Sequence, residues 1–322
     1  MSLSTPVVFI IFNRPDLTDI VFKKIAEAQP KKLLVIADGP RSPEEAEKCS
    51  KTREIIQKID WDCDVLTNFS DKNLGCRERI VSGLNWVFSL VEEAIILEDD
   101  CLPAPSFFTF CQDLLEYYRH DKRIMMISGD NFQLGQSRTN YSYYFSKYAH
   151  IWGWATWRRA WHYYDANMET WPESREAISA LIEDNYEKKF WIDIFEHVFN
   201  RRQDWDWQWA YACLTQNGLS VMPNVNLISN LGFREDATQA LHKSPWAKLP
   251  VDDIWTIKHP PNVIRNVTAD KYTFDYHYEG NDMRKRDTIQ WKIYNYFAIL
   301  LEKIKRKFFN VMSKIYVGKL GY

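Results

Sequence analysis

The 322-residue chain is 46% hydrophobic and 26% charged, with 11 Gly and 13 Pro, which excludes a disordered, collagen-like or low-complexity polymer. Lys and Arg (41) nearly balance Asp and Glu (43), so the whole-chain basic footprint of a nucleic-acid binder is absent. The six Cys form no CxxC pair, no basic and apolar leader opens the sequence, and no run of about 18 apolar residues occurs, so reduced thiols, no bilayer span and a cytoplasmic location are expected.

In chain order, the first third alternates between two periods. Val7–Phe12 is a continuous apolar run and reads as a buried strand, broken by Asn13-Arg14-Pro15-Asp16. Leu17, Val21, Ile25 and Ala28 then fall at helical spacing. Leu33–Ala37 is a second strand, stopped by Asp38-Gly39-Pro40, and Glu44–Ile59 a helix with an acidic start. Val65–Phe69, the turn Asn73-Leu74-Gly75, a helix through Ile80, Leu84, Val87 and Leu90, and a strand Ala94–Leu97 follow. This repeat predicts βαβ units, hence a mostly parallel α/β sheet covered by helices on both faces.

Ligands of such sheets sit beyond the carboxyl ends of the strands. Asn13-Arg14, Asp38-Gly39, the stretch from Asn73 to Arg79, and Glu98-Asp99-Asp100 each follow one of the four strands. No GxGxxG and no GxxxxGK[ST] is present, so a pyrophosphate here would need a metal and Arg side chains. Glu98–Asp100 could neutralise their mutual repulsion by holding a hard divalent cation; a solvated turn before Pro103 is the plainer alternative.

Beyond residue 124 the pattern is mixed. Ile124–Ser128 reads as a strand before Gly129-Asp130-Asn131, while Trp157–Tyr164, Phe190–Phe199 and Ala210–Asn217 read as helices. Nine of the 14 Trp crowd positions 152–209, which suits sugar stacking as well as core packing. His150 reads as structural, and Asp130-Asn131 as a turn or a contact for sugar hydroxyls. Residues 236–285 carry no clean period and read as a loop-rich cover.

Residues 94–113, AIILEDDCLPAPSFFTFCQD, resemble the acidic metal-binding segment of GT-A fold glycosyltransferases of the N-acetylglucosaminyltransferase I type. Val7–Arg14, Asp38-Gly39, Trp152-Gly153-Trp154 and Trp205-Asp206-Trp207 resemble further elements of that family in the same order, so residues 1–235 are expected to form a GT-A domain. The resemblance implies that Asp100 binds Mn²⁺ (or Mg²⁺), that Asp99 faces the ribose or a metal-bound water, and that Glu98 orders the turn. It implies that Asn13, Arg14 and Asp38 line the nucleotide and that Arg77 or Arg79 grips the pyrophosphate, while Trp154 reads as a sugar platform or as ordinary aromatic core. Asp206 would be the general base of an inverting transfer, with Asp204 as its rival.

The expected activity is thus sugar transfer from a nucleotide sugar, UDP-linked by expectation, to a saccharide or lipid-linked saccharide hydroxyl in bacterial surface-glycan synthesis. A sugar nucleotidyltransferase and a non-catalytic glycan- or nucleotide-binding module are the alternatives. Residues 284–322 carry ten Lys/Arg against two acids, a net of +8, and Ile293, Phe297, Leu300, Ile304, Phe308, Val311 and Ile315 form one helical stripe. A basic amphipathic helix over 286–322 is expected, packed on the body, dimerising, or lying on an anionic membrane surface.

Overall fold

Val7–Ile11 (β1) is buried at every residue, and its side chains divide between two cores: Val7, Phe9 and Ile11 enter one, Val8 and Ile10 the other. That division follows from the two-residue period of a strand covered on both faces, and it is why β1 reads as an unbroken apolar run. The computed structural model describes residues 3–201, 204–234 and 244–291, together with Ile293 and Lys305. Helix α1 (Pro15–Ala28), β2 (Lys32–Ala37), α2 (Pro43–Glu54), β3 (Asp64–Phe69), α3 (Cys76–Leu90) and β4 (Glu93–Glu98) complete the alternation read from the sequence. The helix expected over Glu44–Ile59 tightens into a 3-10 turn at Ile55–Lys58.

After β4 come β5 (Cys101–Pro103), α4 (Phe107–Tyr117), β6 (Ile124–Ser128), β7 (Tyr143–Ser146), β8 (Trp154–Trp157) and α5 (Arg158–Trp161). Helices α6 (Trp171–Leu181), α7 (Asn185–Arg201) and α8 (Asp206–Thr215), strands β9 (Leu219–Pro223) and β10 (Ile228–Asn230), and helices α9 (Val267–Tyr276) and α10 (Gly280–Arg286) follow. The main sheet has eight strands in the order β3-β2-β1-β4-β8-β6-β9-β7. Strands β3, β2, β1 and β4 run parallel, as do β6 and β9; β8 is antiparallel to both its neighbours, and β7 to β9. The expected α/β class, a mostly parallel sheet flanked by helices, is the class observed.

The expected helix Trp157–Tyr164 is corrected. Trp154–Trp157 is strand β8, buried throughout and paired to β4 and β6 at once, and only Arg158–Trp161 is helical. Trp, Ala, Thr and Trp fit a doubly covered strand, but four residues are too few to display a period. Within 236–285, the described residues hold α9 and α10. Asn266 caps α9 by accepting a hydrogen bond from the Ala269 amide at 2.9 Å. Buried Asp270 ties that helix to β7, accepting from the Ser146 hydroxyl at 2.5 Å. A third apolar cluster joins α6, α7, α8 and α9 through Trp171, Trp191, Phe195, Tyr211 and Phe274. The basic stripe expected over 286–322 lies, apart from residues 286–291, Ile293 and Lys305, outside the described residues. No described helix is long and apolar enough to cross a membrane.

Candidate active site

Register brings the polar strand ends together. Ile11, Ala37 and Phe69 stand abreast across β1, β2 and β3, and Ile10 pairs with Glu98 at the end of β4. Arg14 precedes α1, so its guanidinium reaches back over the end of β4. It donates from Nη1 to Asp100 Oδ2 at 2.9 Å and from Nη2 to Asp99 Oδ1. Burial opposes the Arg14 charge, but Asp99 and Asp100 outweigh it and raise its pKa.

The acids hold more negative charge than one guanidinium neutralises. Burial, then Asp100 and Asp99, push the Glu98 carboxyl up to about 8. Burial lifts Asp99 to about 6 against the pull of Arg14. The second oxygen of Asp99 is buried with no hydrogen-bond partner among the described residues. Gly232 closes over Asp100: a Cβ there would lie 2.2 Å from Asp100 Oδ2, and the Leu231 amide donates to the Asp100 carbonyl at 2.8 Å. An orphaned carboxylate oxygen, a partly neutralised pair and a close glycine backbone fit a hard divalent cation. No set of three or more His, Cys, Asp or Glu among the described residues converges on one such point, so protein ligands here would number one or two.

Asp206 lies within electrostatic reach of Glu98. It opens α8 after Trp205, and its charge is among those raising Glu98. Burial beside Trp205 and Trp209, then the charge of Asp204, push Asp206 up to about 6. A carboxyl so placed exchanges a proton near neutral pH, which is what a general base requires.

Other nominated residues sit differently. Asp38 has both oxygens occupied: Oδ1 accepts from the Gly39 and Leu74 amides, each at 2.9 Å, and Oδ2 from the Gly75 amide at 3.0 Å and Asn73 Nδ2 at 3.1 Å. It therefore fixes the turn before α3. Asn13 Nδ2 is bound to Glu45 Oε1 at 2.5 Å. Arg77 donates to the Ala166 carbonyl at 2.7 Å. Arg79 is 5% exposed and donates to the Asn68 carbonyl and Oδ1 at 2.8 and 2.7 Å, so its fork is engaged by β3. Of the two readings of Trp154, the structure has the core one. It is 1% exposed, with Trp209, Trp205 and Trp161 at ring distances of 5.5, 6.1 and 6.4 Å, so it is a core residue without a face for sugar. Asn131 is spent on the Pro223 carbonyl at 2.7 Å and the Gln133 amide at 2.8 Å. His150 is buried and held neutral, first by burial and then by His277.

Sequence reasoning missed Tyr278. Burial, then Asp206, Glu187 and Asp130, raise its hydroxyl, and its ring lies 6.3 Å from that of Trp207. A single Tyr in an aperiodic stretch gave no signal. A cavity of about 920 Å³ between α2 and β3, lined by Cys49, Arg53, Trp61 and Phe69, holds none of the nominated acids.

No protein-family model and no curated protein matches the chain. Among solved structures it is similar to a UDP-glucose pyrophosphorylase complexed with UDP-glucose, at 12% identity over 44% of this chain and 62% of that one, with a TM-score of 0.26. It is also similar to a cytidylyltransferase from Leptospira borgpetersenii serovar Hardjo-bovis, at 12% identity over 63% of this chain and 74% of that one, with a TM-score of 0.32. The chain thus covers less than two thirds of the pyrophosphorylase. At these scores neither likeness carries an argument about this chain.

Proposed function

We propose that the protein is a divalent-metal-dependent, inverting glycosyltransferase that moves a sugar from a nucleotide sugar to a saccharide hydroxyl. The observation that carries this reading is the meeting of Glu98–Asp100, Arg14 and Asp206 at the carboxyl edge of the sheet, with one Asp99 oxygen left unpartnered and the Asp206 carboxyl pushed up to about 6.

Asp100, with Asp99 behind it, would hold Mn²⁺ or Mg²⁺, which when bound supplies charge neutralisation for a leaving nucleoside diphosphate. Arg14 orients the two carboxylates and adds a guanidinium suited to paired phosphate oxygens. Asp206 takes the proton from the acceptor hydroxyl as its oxygen bonds to the anomeric carbon. The bond from that carbon to the phosphate oxygen breaks, and the diphosphate leaves with the electron pair. UDP as the nucleotide, surface glycans as the setting, and a lipid-linked acceptor met at the membrane belong to this proposal through the family resemblance alone.

The test is hydrolysis of a panel of nucleotide sugars with and without Mn²⁺, repeated on two variants. Asp100→Asn should lose metal-dependent hydrolysis. Asp206→Asn should keep donor binding and lose transfer by about 10²–10⁴-fold. If no nucleotide sugar binds at millimolar concentration, the reading fails. Production of a nucleoside triphosphate from donor plus pyrophosphate would replace it with a nucleotidyltransferase.

A further inference from the structure

Above the two acid groups runs a continuous line of aromatic rings. It begins at Phe233, next to the Gly232 that closes on Asp100, and passes to Trp152 at 5.6 Å between centroids. Buried Phe132 follows at 5.1 Å, and His277 is stacked on it at 4.0 Å. Trp246 packs against both, at 5.3 Å from Phe132 and 5.0 Å from His277. Tyr278 comes next at 4.8 Å, and Trp207, the neighbour of Asp206, ends the line at 6.3 Å.

Every residue in this line except Phe132 is half-buried, at the rim of the cores. Six such rings side by side form an apolar strip of the kind that marks a binding surface, and it joins the acid at β4 to the acid at α8. Two polar atoms beside it are buried with no partner among the described residues: His277 Nδ1 and Asp130 Oδ1. The other Asp130 oxygen accepts from the amide of Trp152 at 2.9 Å, which ties the carboxyl to the Trp152 backbone. Burial keeps His277 neutral and raises Asp130, so neither presents a full charge to the strip.

We propose that this strip is the binding wall for the acceptor saccharide, with pyranose rings stacked on Trp152, Trp246 and Tyr278 and their hydroxyls bonded to His277 Nδ1 and Asp130 Oδ1. Pyranoses suit it because they present an apolar C–H face to a ring and a hydroxyl edge to a polar atom, and the strip alternates these two demands. A lipid chain would leave the two buried polar atoms unmatched. The proposal rests on the glycosyltransferase reading, which assigns Asp206 to the acceptor hydroxyl, and it gives the role to residues 246, 277 and 278, beyond the part of the chain that resembles the family.

The experiment is saturation-transfer NMR of the full chain with a panel of methyl hexosides and methyl N-acetylhexosaminides, run beside nucleotide-sugar hydrolysis in Mn²⁺. Some member of the panel should give signal with the parent protein. Trp246→Ala should weaken that glycoside about tenfold, the loss of one well-placed stacking partner. Tyr278→Phe, which keeps the ring, should bind within about twofold of the parent and serves as the folding control. Equal glycoside binding by Trp246→Ala and parent, or no signal across the panel, overturns the acceptor wall. Glycoside binding without any donor hydrolysis would instead leave the wall standing and remove the transferase.

Discussion

Arg14 Nη1 lies 2.9 Å from Asp100 Oδ2, so the guanidinium after the first strand neutralises the last acid after the fourth. The two residues are joined through the parallel pairing of β1 and β4, which sets Ile10 beside Glu98. The contact holds the site's charge together in the absence of a cation. A cation seated at Asp100 would share that duty.

Arg14→Gln should therefore destabilise the protein by about 3 kcal/mol at neutral pH, because it leaves partly buried carboxylates without their counter-charge. Millimolar Mn²⁺ should recover more thermal stability in the variant than in the parent. Melting curves with and without Mn²⁺ check this, and an unchanged gap between the two proteins would show that the acids do not take the ion.

Acid titration supplies the next expectation. Glu98 titrates near 8, and Asp99 and Asp206 near 6, all above their ordinary carboxyl values. For groups raised in the folded state, the stabilising contribution is complete below the ordinary carboxyl range and is lost as pH climbs through the folded values. The metal-free protein should thus melt at a lower temperature at pH 8.5 than at pH 5.5, values that bracket those titrations. Mn²⁺ must displace these protons, so its stabilising shift should grow over the same interval. Melts at fixed ionic strength across that range decide it, and a metal shift largest at the acid end would contradict the assignment.

The sequence discloses those parts of the fold in which one residue type repeats for one reason. Strands β1, β2 and β4 are buried on both faces and read as apolar runs, and the acids and Arg14 are visible because each breaks such a run at its end. Strand β8 is hidden because its four residues carry no period and its partners lie about 30 and 60 residues away in sequence. The Trp205-Asp206-Trp207 element is legible as a motif. Tyr278, set beside it by the packing of α9 on the third core, is not. Position alone also misleads: Asp38 stands at a strand end like Asp100, yet backbone amides fill its oxygens, a fact set by the path of residues 73–75.

Trp154 offers a test that separates core from site. Sealed among Trp161, Trp205 and Trp209, it should cost about 3–5 kcal/mol on replacement by Ala. Trp154→Phe leaves a smaller cavity than Ala, so it should fold with less loss of stability and keep nucleotide-sugar affinity within about twofold of the parent. Denaturant melts with a donor-binding titration read both quantities. A large loss of donor affinity in a stable Trp154→Phe protein would return this residue to the sugar site.

Asp38 yields the converse case, a carboxylate whose loss should act through the chain. Asp38→Asn keeps the shape and the two acceptor lone pairs of one oxygen, but turns the other into a donor that faces the Gly75 amide and the Asn73 side chain or, flipped, the Gly39 and Leu74 amides. Two donors lose an acceptor whichever way the amide sits, so the variant should be destabilised by about 2–4 kcal/mol. Since α3 begins at Cys76, just after the tethered Gly75, its first turn should loosen with it. Hydrogen exchange of the 73–79 amides should rise in the variant while the amides of β1 and β4 stay protected. If exchange there is unchanged and only nucleotide affinity falls, Asp38 contacts the ligand directly and the tether is incidental.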